Sequence, residues 1–279
     1  MSRVAQALAA WRDGSPETAR EHAKAAGTRL GDELAEHWAS DADGRVYDQP
    51  AAFRAFVRGG GNVELYRRLS QVLATGYDEV RPASLLDIGC GDGLAIAPAL
   101  EAATHEPARI DLVEPSAALL DLARQRIAGA HPWQETAQEF TARPAEHRWD
   151  SAQATFSLHT MEPAVRAEVL RGLRERVDRL VVAEFDVPVL DEGSPEHLES
   201  LAERYERGIA EYGEDASLVA QGFLLPVLLG QIVRGAVRST WEQPAEQWRR
   251  QLTDAGFDQV EVAPLVSYWW SPAVVFTAR

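Results

Sequence analysis

Leu85-Leu86-Asp87-Ile88-Gly89-Cys90-Gly91-Asp92-Gly93 sets an acidic residue near the end of an apolar run, followed by a glycine at every second position. A second apolar run, Ile110-Asp111-Leu112-Val113-Glu114, closes on another acid. Glycines at a strand end let the backbone turn sharply and approach a ligand closely. A carboxylate about 20 residues further on, at the tip of the next strand, can accept hydrogen bonds from ribose hydroxyls. These residue types predict a nucleoside held at the first crossover of an α/β sheet, with its sugar on Glu114.

A second group follows later in the chain. Thr155-Phe156-Ser157-Leu158-His159-Thr160 and Ala183-Glu184-Phe185-Asp186 each end an apolar run. Ligands of open α/β sheets sit beyond the carboxyl ends of the strands, which places His159, Glu184 and Asp186 on the reaction side. His159 has the chemistry to take a proton from a hydroxyl, an amine or a carbon acid, and equally to line a pocket wall. Glu184 and Asp186 are candidates for acid–base work or for the counter-charge of an amine, or are strand ends that turn toward solvent. Gly59-Gly60-Gly61-Asn62 is costly inside a helix and reads as a hinge or close-approach loop. Asn62 and Tyr66, just beyond it, are expected to reach the ligand.

The Leu85–Gly93 stretch resembles motif I of the class I S-adenosylmethionine-dependent methyltransferases of the small-molecule type. The resemblance covers roughly residues 82–186 and two closing strands. It implies that Asp87 supports the methionine end of the cofactor and that Gly89, Gly91 and Gly93 run beneath ribose and methionine. Cys90 fills space between the glycines, and Glu114, followed by Pro115, binds the ribose. Ser157 joins this group from the fourth strand end. Relatives carry Gly-Asp-Ala after the third strand where this chain has Glu135-Thr136-Ala137-Gln138. Thr136 therefore replaces the usual adenine-binding acid, and Gln138 or the Ala137 N–H is expected to substitute. Leu158-His159-Thr160 resembles the Leu-His-His-Leu run of small-molecule methyltransferases. A dinucleotide fits less well. Bulky Leu94 occupies the place of the fingerprint's last small residue, and Asp87 would meet a pyrophosphate's negative charge.

The implied reaction is methyl transfer to oxygen, nitrogen or carbon of a small molecule in specialised metabolism, with S-adenosyl-L-methionine as donor. Catalysis would come largely from aligning acceptor, methyl and sulfur. Two alternatives stand beside it. The cofactor's own amine could close a ring and release methylthioadenosine, or the protein could bind the cofactor without catalysis. No Asp-Asp-Asn cluster suggests a metal, and no Asn-Pro-Pro-Tyr suggests a nucleobase amine as acceptor.

The elements that must position these residues alternate from Arg81 onward. Strands are expected near 84–88, 109–114, 133–136, 150–157 and 179–185, with helices near 93–103, 116–128 and 162–177. Such alternation implies a parallel sheet with right-handed crossovers. Two further runs, Gln259–Ala263 and Ser271–Phe276, complete a Rossmann-like, seven-stranded, mostly parallel α/β sheet. Residues 1–80 read as a helical cap, with one helix from Pro16 carrying Ala19, Ala23, Ala26, Leu30, Leu34 and Trp38 at helical spacing. Residues 187–245 read as a helical insertion, with helices over Glu196–Tyr212 and Ala216–Val237. Gln243–Ala255, within a closing segment 246–279, is a third helix. Cap and insertion are expected to form a lid that excludes water. The apolar segment 216–237 would line it or form a homodimer contact. Aromatic residues gather in these parts: Tyr47, Phe53, Phe56, Trp241, Trp248 and Tyr268-Trp269-Trp270.

The composition narrows the partners. The chain of 279 residues has a formal net charge of -15, only one lysine (Lys24) and one cysteine. An acidic surface repels phosphate backbones and anionic lipid, which argues against nucleic acid or a membrane. The lone cysteine forms no internal disulfide and fits a cytoplasmic protein. Its longest apolar stretch, Gly222–Gly230, is too short to cross a bilayer.

Overall fold

The computed structural model describes residues 1–40, 50–145, 147–233, 235, 238 and 240–279. Tyr47 and the expected helix end at Val237 lie outside the described residues. The chain divides into two compact units: 1–63, 189–239 and 268–270 form one, and 64–188, 240–267 and 271–279 form the other.

The second unit is the α/β body. Seven strands form one sheet: β1 (Ser84–Ile88), β2 (Arg109–Val113), β3 (His131–Trp133), β4 (Ser151–Thr155), β5 (Leu180–Phe185), β6 (Val260–Val266) and β7 (Ala273–Ala278). Their order is β3-β2-β1-β4-β5-β7-β6. β1 through β5 pair in parallel, and β7 runs antiparallel between β5 and β6. The strand order reverses between β1 and β4, which makes that boundary the switch point where open sheets bind ligands.

Both faces of the central strands are covered, as apolar strands without alternation require. Leu86 and Ile88 join one core with Ala152, Ala154, Val182, Leu170, Trp248 and Phe257. Leu85, on the other face, packs with Leu112, Val181, Val275, and Leu69, Leu73 and Tyr77 of the helix Asn62–Val80. Asp87 is two residues from Leu85 and so shares its face.

Most elements lie where the sequence places them; β3 does not. It spans His131–Trp133, earlier than expected, because Thr136 instead begins a short helix, Ala137–Ala142. Thr136 and Glu139 form a reciprocal capping box there, a helix-start signature that outweighs extension of the strand.

The other unit is helical. The single helix read from Pro16 to Trp38 is two, Pro16–Lys24 and Arg29–His37, and a further helix, Arg3–Arg12, precedes them. Gly27 adopts a φ of 63° and Thr28 caps the third helix, so the chain breaks where the apolar period continues. The glycine run lies between helices Pro50–Arg58 and Asn62–Val80, as its composition predicts. Gly60 has a φ of 50°, and a Cβ there would stand 2.9 Å from the Tyr212 ring. A close approach is thus what this run provides.

Pro195–Ala210 forms one insertion helix. The other is a continuous 20-residue helical run, Gly213–Ile232, long and apolar enough to cross a membrane by length and composition. This exceeds the nine-residue stretch judged from sequence. Within the protein it is a core helix: Val219, Ala220, Leu224, Leu225 and Leu228 pack with Leu8, Leu30, Leu34, Leu201 and Tyr205. Its Ala220–Leu224 segment is π-helical. Pro226 has no N–H to give the Gly222 carbonyl, and the wider turn adjoins that break in the hydrogen-bond ladder.

Candidate active site at the β1/β4 switch point

Asp87, Gly89, Cys90, Gly91 and Gly93 stand at the carboxyl end of β1. Gly89, Gly91 and Gly93 all have positive φ (68°, 55° and 78°), a conformation in which side-chain-bearing residues are strained. Their surroundings differ. A Cβ on Gly89 would lie 2.5 Å from Ser157 Cβ, whereas one on Gly91 meets nothing within 4 Å. Gly89 thus lets β1 and β4 close together, and Gly91 borders open space. Ser157 braces the same junction, its hydroxyl donating to the Ile88 carbonyl at 2.9 Å.

Two buried aspartates on adjacent strands separate a structural acid from one open to a ligand. Asp111 on β2 accepts from Arg109, Trp133 Nε1 (2.9 Å) and Trp149 Nε1 (2.8 Å), which occupies both oxygens. Burial opposes its ionisation, but Arg109 and the two indoles prevail and hold its pKa below the ordinary carboxylate range. Asp87 on β1 is 1% exposed. Its Oδ2 accepts from Gln153 Nε2 at 2.9 Å, while its Oδ1 is buried with no partner. Burial, opposed by the Gln153 bond and reinforced by the charge of Glu114, pushes this carboxyl up to about 7. An orphan acceptor of this kind is costly unless a cationic or hydrogen-bonding ligand completes it.

Glu114 is pinned to the glycine loop. Its Oε2 accepts from Gly91 N at 3.1 Å and its Oε1 from Ser116 N at 2.9 Å. A carboxylate has about four acceptor sites, so hydroxyl donors can still be received. Pro115 is exposed beside it. Cys90 is buried, and burial with the nearby Asp87 and Glu114 raises its thiol far above the ordinary range. A thiol so suppressed packs and does not attack.

The adenine side departs from expectation. The Thr136 hydroxyl donates to Glu139 Oε2 and accepts from Glu139 N, so its side chain serves the helix cap. Ala137 is buried and Gln138 exposed. Glu135, not singled out from the sequence, pairs with Arg143 at 2.9 Å through Oε1, while its Oε2 is buried and has no partner.

On the reaction side, Glu184 is fully buried at the end of β5. Its Oε1 accepts from the backbone N–H groups of Leu158 (2.9 Å) and His159 (3.1 Å), and its Oε2 pairs with His159 Nδ1 at 2.8 Å. Burial works against protonation of His159, but the Glu184 carboxylate prevails and raises the imidazole above 6.5. The 3₁₀ turn Leu158–Thr160 that carries His159 is held from behind. Trp241 N donates to the His159 carbonyl. Arg166, 0% exposed, donates to the carbonyls of Leu158 and Trp241 and to Gln243 and Gln251, and lies 4.1 Å from the Trp248 ring centre.

Tyr66 stands edge-on to Phe156 at 6.1 Å, and Phe156 stacks on Phe185 at 4.8 Å. Burial first, then the charges of Asp92 and Glu184, push the Tyr66 hydroxyl up to about 12. Tyr66 is therefore a donor and a wall, not a base. Phe156 has a φ of 53°, which for a bulky residue is strain stored at the strand end. Phe156 and Phe185 went unremarked as site residues in the sequence, where the accessory aromatics drew attention instead. Of those, Phe53 and Phe56 meet Phe223, and Trp269 and Trp270 meet Tyr205, within the helical unit, whereas Trp248 packs in the sheet core.

Asn62 belongs to the helical unit, where its Nδ2 donates to the Phe56 carbonyl and the Tyr212 hydroxyl and its Oδ1 accepts from Tyr268. All its polar atoms are engaged in that packing. Asp186, considered beside Glu184, caps the helix Ala245–Asp254 by accepting from Ala245 N at 2.7 Å.

Comparison with known proteins agrees with this geometry. Residues 86–179 match the family model described as a methyltransferase domain. No protein with a curated description matches the sequence. Among solved structures, the fold is similar to the S-adenosylmethionine-dependent methyltransferase SibL in its apo form: TM-score 0.56, 16% identity, 97% of this chain and 76% of that one. It is also similar to the mitomycin 7-O-methyltransferase MmcR, with TM-score 0.53, 18% identity, and 95% and 71% coverage. A protein of Nostoc punctiforme PCC 73102 matches over 75% of this chain, with TM-score 0.50 and 18% identity; the chain spans 55% of its length. At these identities the likeness concerns the fold. The segment that matches the methyltransferase-domain model, residues 86–179, contains the orphaned Asp87 oxygen, the glycine loop, Glu114 and His159.

Proposed function

We propose that the protein transfers a methyl group from S-adenosylmethionine to a hydroxyl or amine of a small-molecule acceptor, with His159 as general base. The observation that carries this reading is the His159–Glu184 pair, which stands on the ends of β4 and β5 one strand away from the Asp87 glycine loop.

The buried residues fit the cofactor. The unpartnered Asp87 oxygen suits an ammonium, Gly91 borders open space, and Glu114 retains acceptor capacity for ribose hydroxyls. Glu135, with its unpartnered buried oxygen, suits the exocyclic amine of adenine. When bound, S-adenosylmethionine supplies an electrophilic methyl on a cationic sulfur. The faces of Phe156 and Phe185 favour a cation nearby.

The chain's own part in the chemistry is to hold and move a proton. Glu184 accepts from Nδ1 of His159, which fixes the tautomer and leaves Nε2 as the free acceptor. His159 takes the acceptor's proton at Nε2, and the resulting imidazolium is stabilised by the Glu184 carboxylate. Glu184 is itself anchored by two backbone N–H groups, so the pair is preorganised. Tyr66, protonated at all physiological pH values, offers a hydrogen bond or a wall.

The chain carries no observation favouring cofactor cyclisation or binding without catalysis. Calorimetry with S-adenosylhomocysteine tests the first half of the reading: micromolar binding is expected, and absence of binding refutes it. Screening small hydroxyl- and amine-bearing acceptors for S-adenosylhomocysteine formation tests the second half. Formation of methylthioadenosine from cofactor alone, beyond spontaneous decay, would overturn it.

A further inference from the structure

A chain of buried polar side chains crosses the sheet's interior beneath the glycine loop. Tyr77, 3% exposed on the helix Asn62–Val80, donates its hydroxyl proton to Gln153 Oε1 at 2.5 Å. Gln153, 0% exposed in the middle of β4, donates from Nε2 to Asp87 Oδ2. Asp87 Oδ1 ends the chain with no partner. A glutamine in the centre of a parallel strand is unusual; its neighbours Ala152 and Ala154 are small and apolar. Burying it costs free energy unless both ends of its amide are satisfied.

The chain has a direction. An ionised carboxylate only accepts, so Gln153 presents its NH₂ to Asp87 and its oxygen to Tyr77, and Tyr77 must donate. Removing the Tyr77 hydroxyl would free the amide to rotate and present its oxygen to Asp87. A small cavity lined by Tyr77, Gln153, Ser151 and Arg179 lies at the Tyr77 end, which gives a loosened amide room to move.

We infer that Gln153 and Tyr77 are positioning residues for the cofactor's amino-acid end: Tyr77 locks the Gln153 amide so that one Asp87 oxygen is saturated and the other stays open to an ammonium. This rests on the reading of S-adenosylmethionine at the glycine loop. A consequence is that cofactor binding releases a proton near neutral pH. The groups facing Asp87 are Gln153 from β4, Glu114 from β2, Cys90 from the loop and Tyr77 from the helix. Burial holds the Cys90 and Tyr77 protons in place, and none of the four is a cation. Asp87, pushed up to about 7, stays largely protonated in mildly acidic solution until an ammonium displaces its proton.

The test is calorimetry with two ligands on the wild type, Tyr77→Phe and Gln153→Leu, between pH 6 and 8. S-adenosylhomocysteine carries the ammonium; methylthioadenosine lacks the whole amino-acid end. For the wild type, S-adenosylhomocysteine affinity should fall about tenfold per pH unit below the Asp87 midpoint, while methylthioadenosine affinity stays flat. The binding enthalpy should vary with the buffer's ionisation heat, as proton release requires. Both variants should move the midpoint upward by about one pH unit, a loss of about fivefold at pH 7 and about tenfold at pH 6 for S-adenosylhomocysteine only. An unchanged profile in the variants overturns the inference, as does an equal loss for both ligands, which would mark the chain as packing alone. Thermal melting checks folding, and Tyr77→Phe, the milder change, decides the matter should Gln153→Leu fail to fold. If wild type binds neither ligand, the cofactor reading itself fails.

Discussion

Single residues at this site work against their own solvation, and substituting them has measurable consequences. Asp87 titrates near 3.8 when unfolded and about 7 when folded. Between those values the folded chain holds a proton that the unfolded chain has lost, so stability falls as pH rises through that window and stays lower above it. Asp87→Asn should therefore stabilise the ligand-free protein at pH 8 by on the order of 3 kcal/mol. It should weaken S-adenosylhomocysteine binding at the same time; thermal melts and calorimetry on one sample measure both. His159 is raised by Glu184, so that pair stabilises the fold below pH 6.5 and the contribution is lost as pH rises through the folded value. Catalysis has the opposite sign, because the base must be neutral. His159→Ala is expected to lower kcat by roughly 10²–10⁴-fold. Glu184→Gln should shift the acidic limb of the pH–rate profile toward lower pH, since the imidazolium loses its counter-charge.

At the scale of elements, the glycine loop and the strand ends were legible because their chemistry is local. An acid before alternating glycines and an acid closing the next strand need no tertiary information. The polar chain from Tyr77 through Gln153 was not legible, because it joins a helix and two strands whose residues lie up to 76 positions apart. The third strand was carried too far for the reverse reason: the capping box at 136–139 is a local signal, and it starts a helix where the strand was extended. The break at Gly27–Thr28 was hidden because the apolar period runs through it. The two loop glycines offer a sharp contrast for experiment. Gly89→Ala forces a Cβ to 2.5 Å from Ser157 Cβ and should destabilise the fold by several kcal/mol, on the order of a large core clash. Gly91→Ala adds only the strain of a positive φ, roughly 1 kcal/mol, yet it enters the space beside Glu114. Its melting temperature should stay within a few degrees of wild type. Cofactor affinity should suffer instead. Denaturant melts and calorimetry on both variants separate the two effects.

Across the whole molecule, neither unit is a continuous piece of chain. The helical unit takes residues 1–63, 189–239 and 268–270. Its core joins Leu8, Leu30 and Leu34 from the first segment to Leu201, Tyr205 and Leu228 from the second and Trp269 from the third. Deleting residues 1–63 should therefore strip the long apolar helix Gly213–Ile232 of its partners and cause aggregation, even though every residue of the β1 loop remains. Size-exclusion chromatography with light scattering would show this; a soluble, monomeric remainder would contradict it. The net charge of -15 keeps the intact surface self-repelling at neutral pH.

The connection between β6 and β7 carries this interleaving furthest. Tyr268–Trp270 belongs to the helical unit, while Ser267 and Ser271 on either side belong to the sheet. Trp269 sits so tightly on Gly208 that a Cβ there would come within 2.7 Å of its ring. Transplanting the helical unit from a relative to alter acceptor choice would thus require three grafts in register, the last only three residues long. A donor with a different residue at 269 would need a matching change at 208, so these two positions should be exchanged together in any chimera.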